Sequence, residues 1–291
     1  MPAAEHPIDA ALVRGLLDDQ HPDLAQHELT RLACGWDNEI FRLGEDLLVR
    51  LPRRQLAAGL LLHEQRWLPQ LAPCLPLPIP APLRVGVGGR GYPWAWSVCP
   101  WFEGETAAEA SLDLPRVARE LGAFVAALHM PAPAAAPANE FRGVPLAERG
   151  DVLEARVAAL GEAVDADSVR ACWADATSAP VHAGPAVWLH GDLHPANLLV
   201  RDDSLVAVLD FGDVTGGDPA TDLAAAWMLF PPDVRPAFRA AVGGVDEATW
   251  RRARGWALSH AIACLASSAD DPRMDGVGAQ TLAWVLDDTP G

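Results

Sequence analysis

The sequence predicts an α+β fold in two lobes, with an antiparallel sheet in the N-terminal lobe and mainly helices in the C-terminal lobe. Short strand patterns joined by tight turns fill residues 28–51. Beyond residue 104 most apolar residues recur at helical spacing. One apolar strand, a polar loop and two further strands interrupt those helices at 188–213. We place the lobe boundary after residue 103, giving an N-lobe over 1–103 and a C-lobe over 104–291.

The N-lobe pattern begins with a short amphipathic helix over 8–19, and a second helix is predicted over 55–71. The Pro-rich stretch 72–82 predicts an extended connection. The predicted strands of this lobe cover residues 28–34, 39–43, 47–51, 83–87 and 92–99. The segment Pro100–Gly104 then indicates a hinge that leads into the C-lobe.

The C-lobe pattern is helical on both sides of the 188–213 segment. A Pro/Ala-rich linker at 131–139 separates the first helix from the second. Predicted helices cover residues 114–128, 145–163, 166–178, 232–242, 246–268 and 277–287. We expect them to form the core of the C-lobe and the wall of a substrate cleft.

The composition limits the possible partners. The chain has 291 residues and a formal net charge of −17, from 22 basic and 39 acidic residues. This charge argues against nucleic acid or an anionic membrane as a partner. It is compatible with a cationic small molecule, although acidic surfaces also serve solubility alone. All 22 basic residues are Arg, so neither a P-loop lysine nor Schiff-base chemistry on lysine is possible.

Cysteine usage and the N-terminal sequence predict a cytoplasmic protein. The five cysteines are odd in number and form no C-x-x-C pair, as expected for reduced thiols. The first residues show no signal-peptide pattern, and no apolar run reaches the roughly 18 residues that a membrane span needs.

The 188–213 segment carries the residues for phosphoryl transfer. Asp192 and Asn197 are five residues apart, as in the kinase loop H-R-D-L-x-x-x-N, and Asp210 begins a D-F-G sequence. Such a set needs a carboxylate at the hydroxyl acceptor, and an amide oxygen and second carboxylate on Mg²⁺. Two alternatives concern the histidines. His190 and His194 could ligate a metal, or His190 could simply brace the loop from the core.

Three motifs, His190–Asn197, Leu209–Asp213 and Gly217–Leu223, resemble the aminoglycoside phosphotransferase family. The resemblance implies a bilobal protein-kinase-like fold. It also implies Mg²⁺-dependent transfer of the γ-phosphate of ATP, or of GTP, to a small-molecule hydroxyl, most simply on an aminoglycoside-type antibiotic. The alternatives are a kinase of a macrolide, a choline-like amino alcohol or a sugar, and a nucleotide-binding protein without catalysis.

The resemblance assigns the roles of the candidate site residues. Asp192 is expected to orient or deprotonate the acceptor hydroxyl, while Asn197 and Asp210 hold Mg²⁺. The adenine is expected to bond to the Pro100 carbonyl and the Phe102 amide at the hinge.

Arg50 and Glu64 are expected to act as one unit. Arg50 lies on the third strand, where a kinase places its phosphate-binding lysine, and a guanidinium can bind phosphate bidentately. Glu64 lies on or near the apolar face of the helix 55–71, so it requires a cation, and Arg50 is the natural partner. The alternatives are an exposed Arg at a strand end and a Glu on a surface helix.

The chain departs from protein kinases directly after the D-F-G sequence. The few residues between Gly212 and Pro219 leave no room for an activation loop, and Gly191 replaces the Arg that would grip a loop phosphate. Asp222 is expected to brace the catalytic loop or cap a helix. Asp213 and Asp218 are expected to be structural. Acidic residues at 270, 271, 275, 287 and 288 could form a rim for a cationic acceptor, or only a solvated surface.

Overall fold

The computed structural model describes residues 3–268 and 271–288, and for Ala33 and Cys34 it describes the backbone only. Its contacts group the chain into two compact units. Unit 1 contains the residues up to Cys74, Pro78–Glu103 and Leu209–Gly212, and unit 2 contains the remainder. These units differ from the predicted lobes at the short segments Leu75–Leu77 and Leu209–Gly212. The lobes 1–103 and 104–291 stay a prediction as functional divisions.

Unit 1 is a five-stranded antiparallel sheet with two helices. The helices are α1 (Ala10–Gln20) and α2 (Gln55–Leu71). The strands are β1 (Leu29–Cys34), β2 (Asn38–Leu43), β3 (Leu47–Pro52), β4 (Arg84–Gly86) and β5 (Trp96–Pro100). Their order across the sheet is β1-β2-β3-β5-β4. In β2, residues with buried side chains alternate with half-buried ones, the period expected of a sheet with one face on a core.

The core of unit 1 joins α1 to the sheet. Buried residues at helical spacing in α1 pack with the inward residues of β2, β3 and β5, among them Leu16, Phe41, Val49 and Val98. Burial of these apolar side chains stabilises the sheet that positions Arg50. In the ladder, Arg50 lies opposite Ile40 on β2 and Ser97 on β5.

Strands β4 and β5 are shorter than predicted. Ladder pairing in β5 begins at Trp96, three residues after Pro93, which has no N–H to donate to a ladder. The indole of Trp96 lies over Gly86, where a Cβ would approach to 1.9 Å of the ring. The two strands therefore lie within or close to the predicted ranges 83–87 and 92–99, but each prediction extended too far into the turn that joins them.

Unit 2 is mainly helical and holds two small sheets. Its strands are β6 (Glu105–Thr106), β7 (Val187–Leu189), β8 (Leu198–Arg201), β9 (Ser204–Val208) and β10 (Thr215–Gly217). Strand β7 pairs with β10, and β6, β8 and β9 form a second antiparallel sheet. The helices are α3 (Leu114–Leu128), α4 (Gly150–Leu160), α5 (Ala166–Ser178), α6 (Ala220–Leu223), α7 (Ala225–Leu229), α8 (Arg235–Val242), α9 (Glu247–Ser267) and α10 (Pro272–Asp287).

Helix α9 is the centre of unit 2. It packs against α4, α5, α6, α7 and α10. Thirteen of its residues between Thr249 and Ile262 are buried, and they lie on every side of the helix, as expected of a helix within a core. Gly278 of α10 allows close approach, because a Cβ there would meet the Cβ of Cys264 at 2.8 Å. Helix α10 begins at Pro272 and not at the predicted 277. In the described residues, no helix is both long and apolar enough to span a membrane.

Candidate active site

The loop after β7 is held in place by hydrogen bonds to the Asp222 carboxylate. The backbone N–H groups of His190 and Gly191 donate to the two carboxylate oxygens of Asp222, at 2.8 and 2.9 Å. Asp222 is fully buried, and His129 Nε2 lies 3.3 Å from it. Burial opposes its ionisation, but these donors and the neighbouring histidines hold the pKa of Asp222 below its ordinary value. Of the two predicted roles, the structure shows the brace.

Gly191 is required by the backbone of this loop. Its φ of +87° lies in the region that favours glycine. A Cβ at Gly191 would also lie 2.5 Å from the carbonyl oxygen of Asp213. The position that carries Arg in protein kinases therefore has no room for a side chain here.

Asp192 is held by contacts on both sides of the loop. Its N–H donates to His190 Nδ1 at 3.2 Å, and His190 is fully buried, so His190 braces the loop as expected. The carboxylate contacts Arg142 Nη2 at 2.9 Å through Oδ1 and His194 Nε2 at 3.3 Å through Oδ2. His194 Nδ1 accepts the N–H of Ala196 at 3.2 Å, and His194 Nε2 faces Asp192 and also lies 3.2 Å from Asn197 Nδ2.

These contacts keep Asp192 ionised. Burial opposes ionisation, but His194 and Arg142 together hold the pKa of the Asp192 carboxyl well below its ordinary value. A carboxylate of such low basicity is a weak proton acceptor and a good hydrogen-bond acceptor. It is suited to orienting a hydroxyl, which is what a loose phosphoryl-transfer transition state requires.

Asn197 presents its amide oxygen. Its Nδ2 donates to the backbone carbonyl of Asp192 at 2.9 Å, which fixes the amide orientation. Its Oδ1 accepts no hydrogen bond from the described part of the chain. A free amide oxygen is a hard oxygen ligand of the kind that Mg²⁺ prefers, so Asn197 fits the predicted metal role.

Arg50 and Glu64 form the predicted ion pair within unit 1. Arg50 Nη1 lies 2.9 Å from Glu64 Oε1, and the two side chains are only 9% and 2% exposed. The exposed-strand and surface-helix alternatives are therefore wrong. Glu64 also accepts the N–H of Phe211. Burial opposes the charge of Arg50, but Glu64 raises the pKa of Arg50 above its ordinary value, so the guanidinium stays charged.

Asp210 belongs to the same unit as this pair. Its charge acts on both Arg50 and Glu64. Asp210 has a φ of +57°, a conformation that non-glycine residues adopt infrequently and that is found at functional sites. Its Oδ1 accepts only a long bond, at 3.3 Å, from the N–H of Gly212. The carboxylate thus retains the lone pairs that a metal ligand needs.

The predicted hinge follows the end of β5. Pro100 lies opposite Leu47 in the sheet, and the next N–H, that of Trp101, donates to the Asp46 carbonyl at 2.7 Å. The N–H of Phe102 has no hydrogen-bond partner in the part of the chain that the structure describes. The Phe102 N–H is therefore available as a donor, as expected if it bonds to adenine. Cys99 is buried beside Arg50.

Sequence reasoning missed three residues around Asp192 and its brace: Arg142, His129 and His260. Arg142 lies in a loop, and His129 ends α3, where neither belongs to a motif. His260 is buried on α9, and burial together with the charge of Arg142 lowers its pKa to about 3. Only the fold brings these residues together, because they are far apart in sequence.

The expected acidic rim is partly engaged in structural contacts. Asp271 caps α10 and contacts Arg273, and Asp288 pairs with Arg235 at 3.1 Å. Asp275 and Asp287 are exposed, and Asp270 lies outside the described residues. Two other acids are structural, as expected. Asp218 pairs with buried Arg252 at 2.7 Å, and Asp213 accepts from Asn139 and lies 3.4 Å from Arg142.

Within the described residues, neither the lining of a cavity in unit 2 nor any cluster of metal-binding side chains points to a second candidate site. A cavity of about 510 Å³ in unit 2 is lined by residues such as Pro180, His182, Asp246 and Arg252, and no predicted site residue contributes to it. Over residues 3–268 and 271–288, no group of three or more His, Cys, Asp or Glu side chains could hold a metal ion.

The chain belongs to the phosphotransferase enzyme family (APH), whose family model matches residues 28–256. It is therefore a phosphotransferase, and the resemblance drawn from its motifs is confirmed. No curated protein sequence matches the chain.

Solved structures share the fold at low sequence identity. The GDP complex of aminoglycoside 2'-phosphotransferase-IIIa matches with a TM-score of 0.70 at 21% identity, over 97% of this chain and 99% of that one. Macrolide 2'-phosphotransferase MphH from Brachybacterium faecium matches with a TM-score of 0.60 at 22% identity, over 98% and 100%. ADP-bound aminoglycoside phosphotransferase APH(2'')-Ib matches with a TM-score of 0.63 at 17% identity, over 96% and 97%. The predicted fold class is thereby confirmed.

Proposed function

We propose that this phosphotransferase moves the γ-phosphate of ATP or GTP, with Mg²⁺, to a hydroxyl group of a small molecule. The observation that carries the proposal is the braced loop at Asp192. It holds an ionised carboxylate in a fixed orientation, with the free amide oxygen of Asn197 five residues away in sequence. A residue pair so arranged serves phosphoryl transfer, in which positioning and charge stabilisation supply most of the rate.

Each proposed role follows from the contacts of one residue. Asp192 accepts a hydrogen bond from the acceptor hydroxyl and takes its proton late in the transfer, since its basicity is low. Asn197 Oδ1 and the Asp210 carboxylate would hold Mg²⁺, which would neutralise charge on the phosphates. Arg50, kept charged and in place by Glu64, binds phosphate oxygens in the role that lysine has in kinases.

The nucleotide is proposed to bond to the Pro100 carbonyl and the Phe102 amide. Structural neighbours solved with GDP and with ADP support a purine nucleotide without choosing its base. The described cysteines are unpaired thiols, which supports the cytoplasmic location expected from the sequence.

Charge and structural neighbours give different indications of the acceptor. The net charge of −17 and neighbours solved with kanamycin or streptomycin favour the expected cationic, aminoglycoside-type acceptor. The macrolide phosphotransferases among the neighbours favour a different alcohol. Arg142, which contacts Asp192 itself, opposes a polycation at this position. The acceptor panel therefore has to span cationic, neutral and anionic alcohols.

The test is phosphorylation of a panel of alcohols by the full chain with Mg²⁺ and either ATP or GTP, read as phosphorylated product by mass spectrometry. The proposal expects product with at least one alcohol, and loss of product when Mg²⁺ is chelated. Asp192→Asn should lower the initial rate of product formation by about a thousandfold. Asp233→Asn is the matched control, because Asp233 is exposed and makes no ion pair in the described structure. An initial rate in Asp192→Asn within about tenfold of the wild type would contradict the proposal.

A further inference from the structure

Three arginines lie along one segment of unit 2, and the first of them contacts Asp192. Arg142 lies in the loop before α4, Arg149 at the N-terminal end of α4, and Arg156 within that helix. Arg149 and Arg156 are seven residues apart, or about two helical turns, so they share a side of this segment. The charge of Arg142 acts on both of them, so the three guanidinium groups are within electrostatic range of one another.

Only one of the three arginines is paired with carboxylates. Arg142 lies 2.9 Å from Asp192 and 3.4 Å from Asp213. Arg149 and Arg156 make no hydrogen bond or ion pair within the described structure. Arg149 is only 8% exposed, and its guanidinium lies 5.2 Å from the ring centroid of Phe141, with no carboxylate in reach.

Guanidinium groups partly removed from water and close to another cation are unfavourable unless an anion binds to them. Burial and the charge of Arg142 lower the pKa values of Arg149 and Arg156, so their surroundings work against their charged forms. Arg149 is buried and Arg156 is half-buried. Cations removed from water are normally paired, and the chain has acids in excess, 39 against 22 arginines. The described structure nevertheless gives these two guanidinium groups no carboxylate partner, and the neighbouring Arg142 contacts the residue proposed to orient the acceptor.

We propose that Arg149 and Arg156 form an anion-binding subsite, and that the acceptor is an alcohol that also carries a carboxylate or phosphate group. A guanidinium is suited to this task, because its planar fork bonds both oxygens of such a group. Arg142 stays on Asp192 and adds positive charge at the boundary. A polycationic acceptor would be repelled here. The identity of the anion as part of the acceptor rests on the proposed function, but the subsite itself does not.

The first experiment measures anion binding without turnover. Thermal unfolding of the full chain is followed with increasing sodium sulfate, with sodium chloride at matched ionic strength as the reference. We expect sulfate to raise the Tm of the wild type. The apparent affinity for sulfate should fall at least about tenfold in the double variant Arg149→Met, Arg156→Met, because two charge-assisted contacts are lost.

Three matched variants make this result specific. Arg119→Met is the control, because Arg119 is exposed and unpaired on α3 and should keep the full sulfate effect. Arg50→Met should also keep it, because Arg50 belongs to the proposed phosphate site of the nucleotide. The double variant without sulfate should unfold at or above the wild-type Tm, since two uncompensated cations are removed. That outcome also shows that the variant folds.

The second experiment uses acceptors that differ in one group. Gluconate, sorbitol and glucamine share a polyol chain and end in a carboxylate, a neutral hydroxyl and an ammonium group. The wild type should prefer gluconate by kcat/KM, and the double variant should lose that preference through a higher KM. Phosphorylated sugar acids extend the series and distinguish a phosphate from a carboxylate.

The two experiments separate the possible failures. If no acceptor is phosphorylated but the sulfate effect depends on Arg149 and Arg156, the proposed function fails and the subsite stands. If sulfate has no effect on the wild type, or an equal effect on the double variant, the subsite is wrong. A sulfate effect lost only in Arg50→Met would also overturn it, because the anion would then occupy the nucleotide site. A kcat/KM highest for glucamine would overturn the anionic acceptor.

Discussion

Asp192 shows, at the scale of single residues, how a carboxylate can be fixed before any substrate arrives. Its backbone N–H is held by His190, and its two oxygens are held by Arg142 and His194. The Asp192 side chain is 31% exposed, so these contacts offset a partial desolvation cost, and the carboxylate does not have to reorganise during the reaction. A group held in this way contributes by orientation more than by proton affinity.

We therefore expect Asp192→Asn to lower kcat by about a thousandfold, within the range that loss of a positioned proton acceptor gives. The amide keeps the shape of the side chain but is no longer a charged acceptor. Affinity for the Mg²⁺–nucleotide complex, measured by calorimetry, should change less than about threefold, since Asp192 is assigned to the acceptor. A kcat within about tenfold of wild type would show that Asp192 is not the catalytic carboxylate.

Arg50 and Glu64 give a second prediction at this scale. Either single substitution, Arg50→Met or Glu64→Gln, should weaken Mg²⁺–nucleotide binding, because each leaves the other buried without its partner. The double variant should lose less than the sum, with a coupling of about 0.5–3 kcal/mol in a double-mutant cycle of binding affinities.

A matched pair controls that cycle. Arg90 and Asp19 are in contact at 2.7 Å in the same unit, but both side chains are about half exposed. The cycle Arg90→Met, Asp19→Asn should leave nucleotide affinity unchanged, since exposed pairs contribute little. Additive effects at Arg50 and Glu64, of the size seen for this surface pair, would show that the buried pair does not act as a unit.

At the scale of elements, the short helix α6 holds the loop after β7. Asp222→Asn should lower the free energy of unfolding by about 2 kcal/mol, because one of two buried N–H donors loses its acceptor. It should also lower kcat, because the Asp192 loop loses its fixed position. Urea denaturation and steady-state kinetics measure the two effects.

Asp165→Asn provides the comparison for Asp222. Asp165 also accepts two backbone N–H groups, those of Asp167 and Ser168, but it is an exposed cap of α5, 25 residues before His190 in the sequence. Loss of its charge should lower stability by no more than about 1 kcal/mol and leave kcat unchanged. If Asp222→Asn likewise changed only stability, Asp222 would support the fold without positioning the catalytic loop.

Elements and motifs could be predicted from the sequence where the determinants are local. Helix α2 lies at the predicted residues, since its apolar spacing and the following Pro-rich stretch are both local signals. Helix α10 was predicted five residues too short, because Gly276 and Gly278 weaken the helical pattern, whereas the fold uses Gly278 for close packing on α9. Arg142 and His260 could not be predicted, because their roles depend on contacts with Asp192 made only in the folded chain.

At the scale of the whole molecule, the buried histidine His260 links global stability to pH. Burial and the nearby Arg142 lower its pKa to about 3, although Asp192 and Asp222 oppose this shift. In the unfolded chain the pKa of a histidine is about 6.5. Between these two values the unfolded state binds a proton that the folded state does not. His260 therefore favours the folded state fully above pH 6.5 and progressively less as the pH falls toward 3.

We expect the free energy of unfolding to fall by about 2 kcal/mol between pH 7 and pH 5 through His260 alone, because each pH unit below the unfolded pKa costs about 1.4 kcal/mol. Carboxylate protonation contributes mainly below this window. Urea denaturation at a series of pH values measures the slope. His260→Gln should reduce it, whereas His27→Gln, at an exposed histidine, should leave it unchanged. Equal slopes for wild type and His260→Gln would mean that His260 takes up its proton in the folded state, which would add a cation next to Arg142 and Asp192.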